Sequence, residues 1–291
     1  MTTKYQLKKN PLGYMEIFPK PSIDELEAHY RDKYYQLSLG AYQSSYSDDE
    51  ISYFDAEAEI CMATINKYTQ VKESLLDVGC GEGHFSRYFL DKGWDIKCVD
   101  FSIEGLKKNS PSVMPYFEQG DIMSFLQRSS AEELKYGLIN LDNVLEHVLE
   151  PRELLLSLKS HLSNETILRI QVPNDFSKFQ AYLVEMDATE ETWVQPPEHL
   201  TYFNKQSLEN LVESIGFKIV SMQADYPIEQ FLISDNSNYS KNPNLGKPAH
   251  LTRVLTTNFL VNQNIQRLVD YYEAAADLEF GRLLTVYVQL A

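Results

Sequence analysis

The chain has 291 residues, 43% hydrophobic and 23% charged, values of a chain able to bury a full core. Its 42 acidic residues outnumber 26 basic ones, and the formal charge of −16 repels phosphate backbones and anionic bilayers, so neither nucleic-acid nor membrane binding is expected. No stretch approaches the roughly 20 apolar residues of a membrane span, Met1 to Asn10 lacks the apolar run of a signal peptide, and Cys61, Cys80 and Cys98 form no C-x-x-C pair, so a cytoplasmic protein is expected.

Residues 1 to 70 read as a helical, acidic lid. Ser22 is placed to cap a helix, with Glu25 in the capping-box position. A second helix is expected from about Ile51 to Tyr68, where Ile51, Phe54, Ala58, Cys61, Met62 and Ile65 recur at helical spacing. Tyr30, Tyr34, Tyr35, Tyr42, Tyr46 and Tyr53 crowd into this segment. Their flat apolar faces and polar tips suit either a core-covering helix surface or a lid over a pocket.

From Ser74 the rhythm becomes strand, turn, helix. Leu75 to Val78 is a short apolar run that ends in Gly79-Cys80-Gly81-Glu82-Gly83, and a helix from about His84 to Asp91 follows. Strands are expected at Ile96 to Val99, near Pro115 to Glu118, at Tyr136 to Leu141 and at Thr166 to Val172, with helices near Ile103 to Lys108 and Arg152 to Leu162. Strands alternating with helices predict a parallel sheet covered on both faces. A helix near Lys205 to Ser214, a strand near Phe217 to Met222 and a last strand from Leu283 to Gln289 complete the core. Residues 71–226 plus 282–291 form that core, and 227–281 an inserted cap with a helix from about Arg253 to Ala275.

The glycine run lies at the carboxyl end of a strand, where open parallel sheets bind ligands. Glycines there let the backbone come close to a ligand, and Asp100, ending the next strand, is suited to a ribose diol. The spacing is G-x-G-x-G with an acid, Asp77, in the strand before it. A dinucleotide loop is G-x-G-x-x-G, and no Lys-Ser or Lys-Thr follows as in a P-loop. An acidic loop disfavours pyrophosphate and suits a cofactor carrying a sulfonium and an ammonium group.

LLDVGCGEGHF, VDFS, GDIM and NVLEHVLEP, in that order, resemble the successive motifs of class I S-adenosylmethionine-dependent methyltransferases over roughly residues 73 to 225 plus the terminal strand. The resemblance implies an α/β, Rossmann-like seven-stranded sheet whose last strand is antiparallel. It implies that Gly79, Gly81 and Gly83 wrap the methionine part of the cofactor, with Asp77 in the strand before them. Asp100 would hold the ribose, with Phe101 beside it. Asp121 and Ile122 would flank the adenine, and the backbone around Asp142 and Asn143 would line the methyl-donor site. The product would be S-adenosylhomocysteine.

Candidate bases for deprotonating an acceptor are His147, His199 and nearby carboxylates. Pro196 to Phe203 (PPEHLTYF) resembles the E-H-L-x-x-F segment of a subgroup that modifies sugars and other small metabolites. By that resemblance His199 is the base, and Glu198 and Tyr202 position it or the substrate. The cysteine-rich zinc module of the sugar C-methyltransferases has no counterpart. Glu146 and His147 resemble part of the E-x-x-E-H metal segment of ubiquinone-pathway O-methyltransferases, but Asn143 replaces its first acid, and no metal is expected. In the insertion, Phe231, Asn236, Asn238 and Tyr239 suit a polyhydroxylated ligand, and Lys241, Lys247, His250 and Arg253 suit either a phosphate or solvent. The expected reaction is methylation of a hydroxyl on a small-molecule acceptor, a sugar or nucleotide-linked sugar. N-methylation of an amine and a non-catalytic cofactor-binding module are the alternatives. Exposed aromatic helices would let two copies pair.

Overall fold

The protein is described by a computed structural model over residues 4–22, 24–26, 45–130 and 134–291. Seven strands form the main sheet: β3 (Ser74–Val78), β4 (Asp95–Asp100), β5 (Phe117–Gln119), β6 (Leu138–Asp142), β7 (Ile167–Pro173), β9 (Phe217–Ala224) and β10 (Leu283–Leu290). Their order is β5-β4-β3-β6-β7-β10-β9. Only β10 runs antiparallel to its neighbours, pairing with β7 on one side and β9 on the other. The expected Rossmann-like sheet with an antiparallel last strand is therefore the observed one.

Alternation along each central strand splits the core in two. Leu76, Val78, Ile139 and Leu141 face one layer, which holds α4 (Ile122–Ser130), α5 (Pro151–Leu158) and α7 (Lys205–Ser214). Leu75 and Leu138 face the other, against α1 (Asp48–Tyr68), α2 (His84–Asp91) and α3 (Glu104–Asn109). Burial on both faces is what the near-continuous apolar strands require. Ser47 and Glu50 form a reciprocal capping box at the start of α1, which satisfies backbone donors the helix leaves open.

The insertion is helical, as expected, but longer. α8 (Gly246–Asp277) packs against α1 and β9, and is broken at Asn264, whose Oδ1 accepts from Arg267 N and caps the second half. Lys178–Glu185 forms α6 before it in the chain, an element that the strand-helix rhythm of the sequence does not announce.

The helical reading of residues 1 to 70 fails at Gln6–Phe18. There β1 (Gln6–Lys9) and β2 (Met15–Phe18) form an antiparallel hairpin, extended by β8 (Thr201–Tyr202) into a three-stranded sheet. The turn is local chemistry: Asn10 Oδ1 accepts from Leu12 N, and Gly13 has φ 101°. Ser22 and Glu25 make the reciprocal capping bonds read from the sequence. The remainder of the expected helix, and Tyr30, Tyr34, Tyr35 and Tyr42, lie outside the described residues. Pro115, expected in a strand, sits in a 3-10 turn (Pro111–Tyr116), and β5 begins at Phe117. Among the described residues no helix is long and apolar enough to cross a membrane.

Candidate active site

The glycine loop joins β3 to α2 at the carboxyl edge of the sheet. Gly79, Gly81 and Gly83 have φ of 75°, 52° and 75°, a region that costs other residues roughly 1 kcal/mol or more. A Cβ at Gly79 would lie 2.4 Å from Val144 Cγ2, so this glycine is also demanded by packing. A Cβ at Gly81 would meet nothing within 4 Å. Asp100 ends β4 beside this loop: its carboxylate accepts from Gly81 N at 2.9 Å and Ser102 N at 3.0 Å. Burial pushes the Asp100 carboxyl above its ordinary range, against those backbone bonds. A carboxylate has about four acceptor positions, so two remain for a diol. An open backbone cradle next to a buried acid at the adjoining strand end fits an adenosine-bearing cofactor.

The other expected cofactor residues line up at the same edge with different local duties. Phe101 is 56% exposed, and its carbonyl accepts from Gln119 Nε2. Asp121 caps α4 by accepting from Ser124 N at 2.7 Å, while Ile122 is buried. The helix that Asp121 starts was not read from the sequence. Asn143 has φ 52° and donates from Nδ2 to Asp142 Oδ1 at 2.7 Å.

Beneath this edge runs a buried polar stripe that sequence reasoning missed apart from Asp77 and Asp142. Strand register places Cys98, Asp77, Asn140, Arg169, Tyr287 and Ser221 in one row across the sheet. Asp142, Gln171, Thr285 and Gln223 form the next row toward the loops. Asp77 accepts from Ser86 Oγ and from Asn140 Nδ2 at 2.8 Å. Arg169, 1% exposed, donates to Asn140 Oδ1 at 2.7 Å, Asp142 Oδ2 at 3.0 Å and Gln171 Oε1 at 2.6 Å. Burial pushes the Asp77 carboxyl up to about 6. The signal was present: polar residues two apart inside otherwise apolar runs (LINLD, ILRIQVP) mark one face of a strand.

His199 lies in the segment before β8. Leu200 N donates to Glu146 O at 2.8 Å, and Ile17 N donates to Leu200 O at 3.0 Å. The segment is thus pinned between the turn after β6 and the N-terminal hairpin, which gives that unforeseen hairpin a role in the site. The His199 and His147 rings stand nearly perpendicular, 4.9 Å apart, and His147 Nδ1 is 2.7 Å from the Glu198 carbonyl. Tyr202 is buried; its hydroxyl donates to His199 O at 3.0 Å and accepts from Gln195 N at 3.2 Å. Tyr202 therefore shapes the loop through its backbone. Glu146 is 1% exposed, and its Oε2 has no hydrogen-bond partner among the described residues. Burial first, then the Asp175 and Asp142 charges, push its carboxyl up to about 8. Ligand-capable atoms of Glu146, His147 and His199 lie within 4.8 Å of one another, a grouping of metal-binding residue types that the spacing to His199 hides in the sequence.

The insertion's candidates separate. Asn238 spends its amide inside the protein, donating to Ala188 O and Leu232 O and accepting from Ser240 N and Lys241 N, so it offers nothing to a ligand. Lys241 pairs with Asp235, whereas Arg253 lies over Tyr53 with His250 Nδ1 3.1 Å away, so Lys241 is spent on an acid while His250 and Arg253 stay together.

The family model described as "Methyltransferase domain" matches residues 53–222, from α1 through most of β9. The chain belongs to this family. It is an S-adenosylmethionine-dependent methyltransferase, with S-adenosylmethionine as its cofactor. The ubiquinone biosynthesis O-methyltransferase of Rickettsia canadensis is 24% identical over 57% of this chain and 72% of its own length. That of Rickettsia typhi is 28% identical over 38% of this chain, which spans 45% of that relative. The solved plantazolicin methyltransferase BamL, in complex with a triazolic desmethylPZN analog and SAH, is 12% identical, with 91% of each chain covered and a TM-score of 0.51. At that identity the likeness is one of fold. Within this methyltransferase the site elements all come from the matched segment except the N-terminal hairpin, α8 and β10.

Proposed function

We propose that the methyltransferase acts on a hydroxyl of a small metabolite, a sugar or nucleotide-linked sugar, with His199 as the base that takes the hydroxyl proton. The observation that carries this reading is the placement of His199 against His147 and Glu146, in a loop bonded to the turn after β6. The named relatives are O-methyltransferases, which favours an oxygen acceptor. Gly79, Gly81, Gly83 and Asp100 would hold the cofactor, with Asp77, Phe101, Asp121, Ile122, Asp142 and Asn143 around it. When bound, the cofactor supplies an electrophilic methyl group on a sulfonium. Glu198 and Tyr202 orient the His199 loop, the first through its carbonyl on His147 and the second through its hydroxyl.

A second reading of the same residues is favoured by their grouping: Glu146, His147 and His199 hold a divalent cation that binds and acidifies the acceptor hydroxyl. One experiment separates the two. Methyl transfer by the purified protein is measured after chelation and with Mg²⁺ or Zn²⁺ restored. Activity that survives chelation but is lost in His199→Ala supports the base; activity that follows the metal supports the cation. Full activity in His199→Ala overturns both.

A further inference from the structure

The polar stripe extends past the cofactor side of the sheet to a group of charges that the methyl-donor machinery leaves unexplained. Asp175 lies two residues beyond β7 and Asp225 one beyond β9. Arg282 directly precedes β10, whose reversed direction brings it to the same edge. Glu57 from α1, Glu229 from the Ile228–Ile233 turn and Arg253 from α8 close on that edge. Arg282 Nη1 is 3.3 Å from Glu229 Oε1 and 3.5 Å from Asp175 Oδ1, and Asp225 Oδ1 accepts from Leu283 N at 2.6 Å.

The charges do not balance. Among the described residues, Asp175, Asp225, Glu229 and Glu57 face the guanidinium groups of Arg253 and Arg282, with Arg169 also beside Glu57. Asp175 is 1% exposed, and Asp225 and Glu229 are each 7% exposed. Among the described residues, Glu57 Oε1, Asp175 Oδ2, Asp225 Oδ2 and Glu229 Oε2 are buried without a hydrogen-bond partner. Buried charges are tolerated when paired, so four such oxygens in one place call for a group from outside the chain. Burial pushes the Asp175 and Asp225 carboxyls each up to about 7.

A second feature points into the same place. Glu57, Asp225, Tyr272 and Arg169 line a cavity of about 10 Å³, the room of a single water-sized group. The Tyr272 hydroxyl, on a residue 3% exposed, is also without a partner. The Arg169 charge is already matched by Asp142 at 3.0 Å. A water fits such a cavity. A primary ammonium is of similar size, carries three donors, and brings the positive charge that the surrounding acids lack.

We propose that this pocket receives a protonated amine of the acceptor, so that the substrate class narrows from sugars in general to a small hydroxylated amine, such as a free amino sugar rather than a nucleotide-linked one, held by its ammonium between Glu57 and Asp225. The inference rests on the reading of the protein as a methyltransferase of small molecules. The seated nitrogen is protonated and has no free electron pair, so the methyl-accepting atom is another one, in keeping with a hydroxyl nucleophile. The neighbouring Asp175 and Glu229 add to the negative field that draws the cation in.

The test does not need the acceptor's name. A bacterial small-metabolite extract is split by ion exchange into cationic, neutral and anionic fractions, and each is incubated with the protein and methyl-labelled S-adenosylmethionine. The expected result is label in the cationic fraction, lowered at least ~10-fold when its amines are acetylated beforehand, a loss of the size that follows when a charged partner is removed. Asp225→Asn should raise the acceptor KM about 10-fold while S-adenosylhomocysteine affinity stays within about 2-fold. Glu57→Gln is the second variant, since Asp225 also holds Leu283 N. Label confined to the neutral or anionic fraction overturns the amine pocket and leaves the methyltransferase reading standing. A KM unmoved in both variants overturns it too and assigns the cavity to a water. No label in any fraction defeats the small-acceptor reading, and this inference with it.

Discussion

The two halves of the site are built by different means. The proposed cofactor half is backbone: a turn with three glycines at positive φ, two backbone N–H groups on Asp100, and Val144 packed where a Gly79 side chain would stand. The proposed acceptor half is side chain: Glu146, His147 and His199 from two turns, and charges delivered singly by α1, β7, β9, α8 and the start of β10. A backbone cradle tolerates few residue types, so it leaves a compact signature in sequence. A side-chain pocket can draw each group from a different element, and its specificity changes without disturbing the fold.

The largest expected effect tests whether the acceptor half carries the chemistry. His199→Ala should lower turnover by about 10²- to 10⁴-fold, the range of a lost general base, while calorimetry finds cofactor affinity within about 2-fold of the parent. A parallel loss of cofactor binding would mean that the two halves are not separable at this residue. The complementary variants lie in the loop. Gly79→Ala should abolish measurable cofactor binding, because its Cβ falls 2.4 Å from Val144 Cγ2 and must displace the turn. Gly81→Ala meets open space, so it should cost only about 1 to 2 kcal/mol of stability, with a loss of cofactor affinity much larger than that. Equal losses of stability in the two variants would show that Gly81 faces protein rather than ligand.

A smaller effect comes from Asp77, under the cradle. Its folded-state carboxyl is raised from the ordinary 3.8 to about 6, with burial the leading cause. The folded protein therefore holds a proton between these values that the unfolded chain has released. The sign follows: this residue's contribution to stability is fully present below about pH 4 and declines as pH rises to about 6, by at most about 3 kcal/mol. Asp77→Asn should flatten that part of the pH–stability curve in thermal or urea melts. An unchanged slope would show that the Ser86 and Asn140 hydrogen bonds keep Asp77 ionised after all.

The same division explains what the sequence disclosed. The succession of core strands and helices and the bounds of α7 were legible because alternation and turn residues are local signals, whereas the antiparallel last strand was implied only by the resemblance to the methyltransferase family. Gln6–Phe18 was misread because Lys8, Lys9 and Glu16 hide a short hairpin whose partner, β8, lies near residue 201. Asp100 was legible from its place at a strand end. Arg169, Asp225 and Arg282 were not, since only register and the reversal of β10 bring them together. Asn238 shows the converse error: its amide suggested a ligand contact, and the fold uses it to hold its own turn and tie that turn to Ala188.

Tyr202 marks where the two descriptions meet, and its variant should have the smallest effect. The resemblance gave it the part of positioning His199 or the substrate, and its hydroxyl is spent on His199 O and Gln195 N. Tyr202→Phe removes one donor and one acceptor from a buried loop and leaves the ring's packing with Phe176 in place. A loss of about 1 kcal/mol in stability is expected, the worth of an ordinary hydrogen bond. Because the loop carries His199, a shift of a few tenths of an ångström there should lower kcat by less than about 10-fold and leave the acceptor KM nearly unchanged. A fall as large as that of His199→Ala would place the Tyr202 hydroxyl among the groups that meet the acceptor, and the loop would have to open for it to do so. A pH–rate profile distinguishes the two: a positioning Tyr202 leaves its acid limb where it was, whereas a hydroxyl that exchanges protons with the acceptor takes one limb of the profile with it when removed.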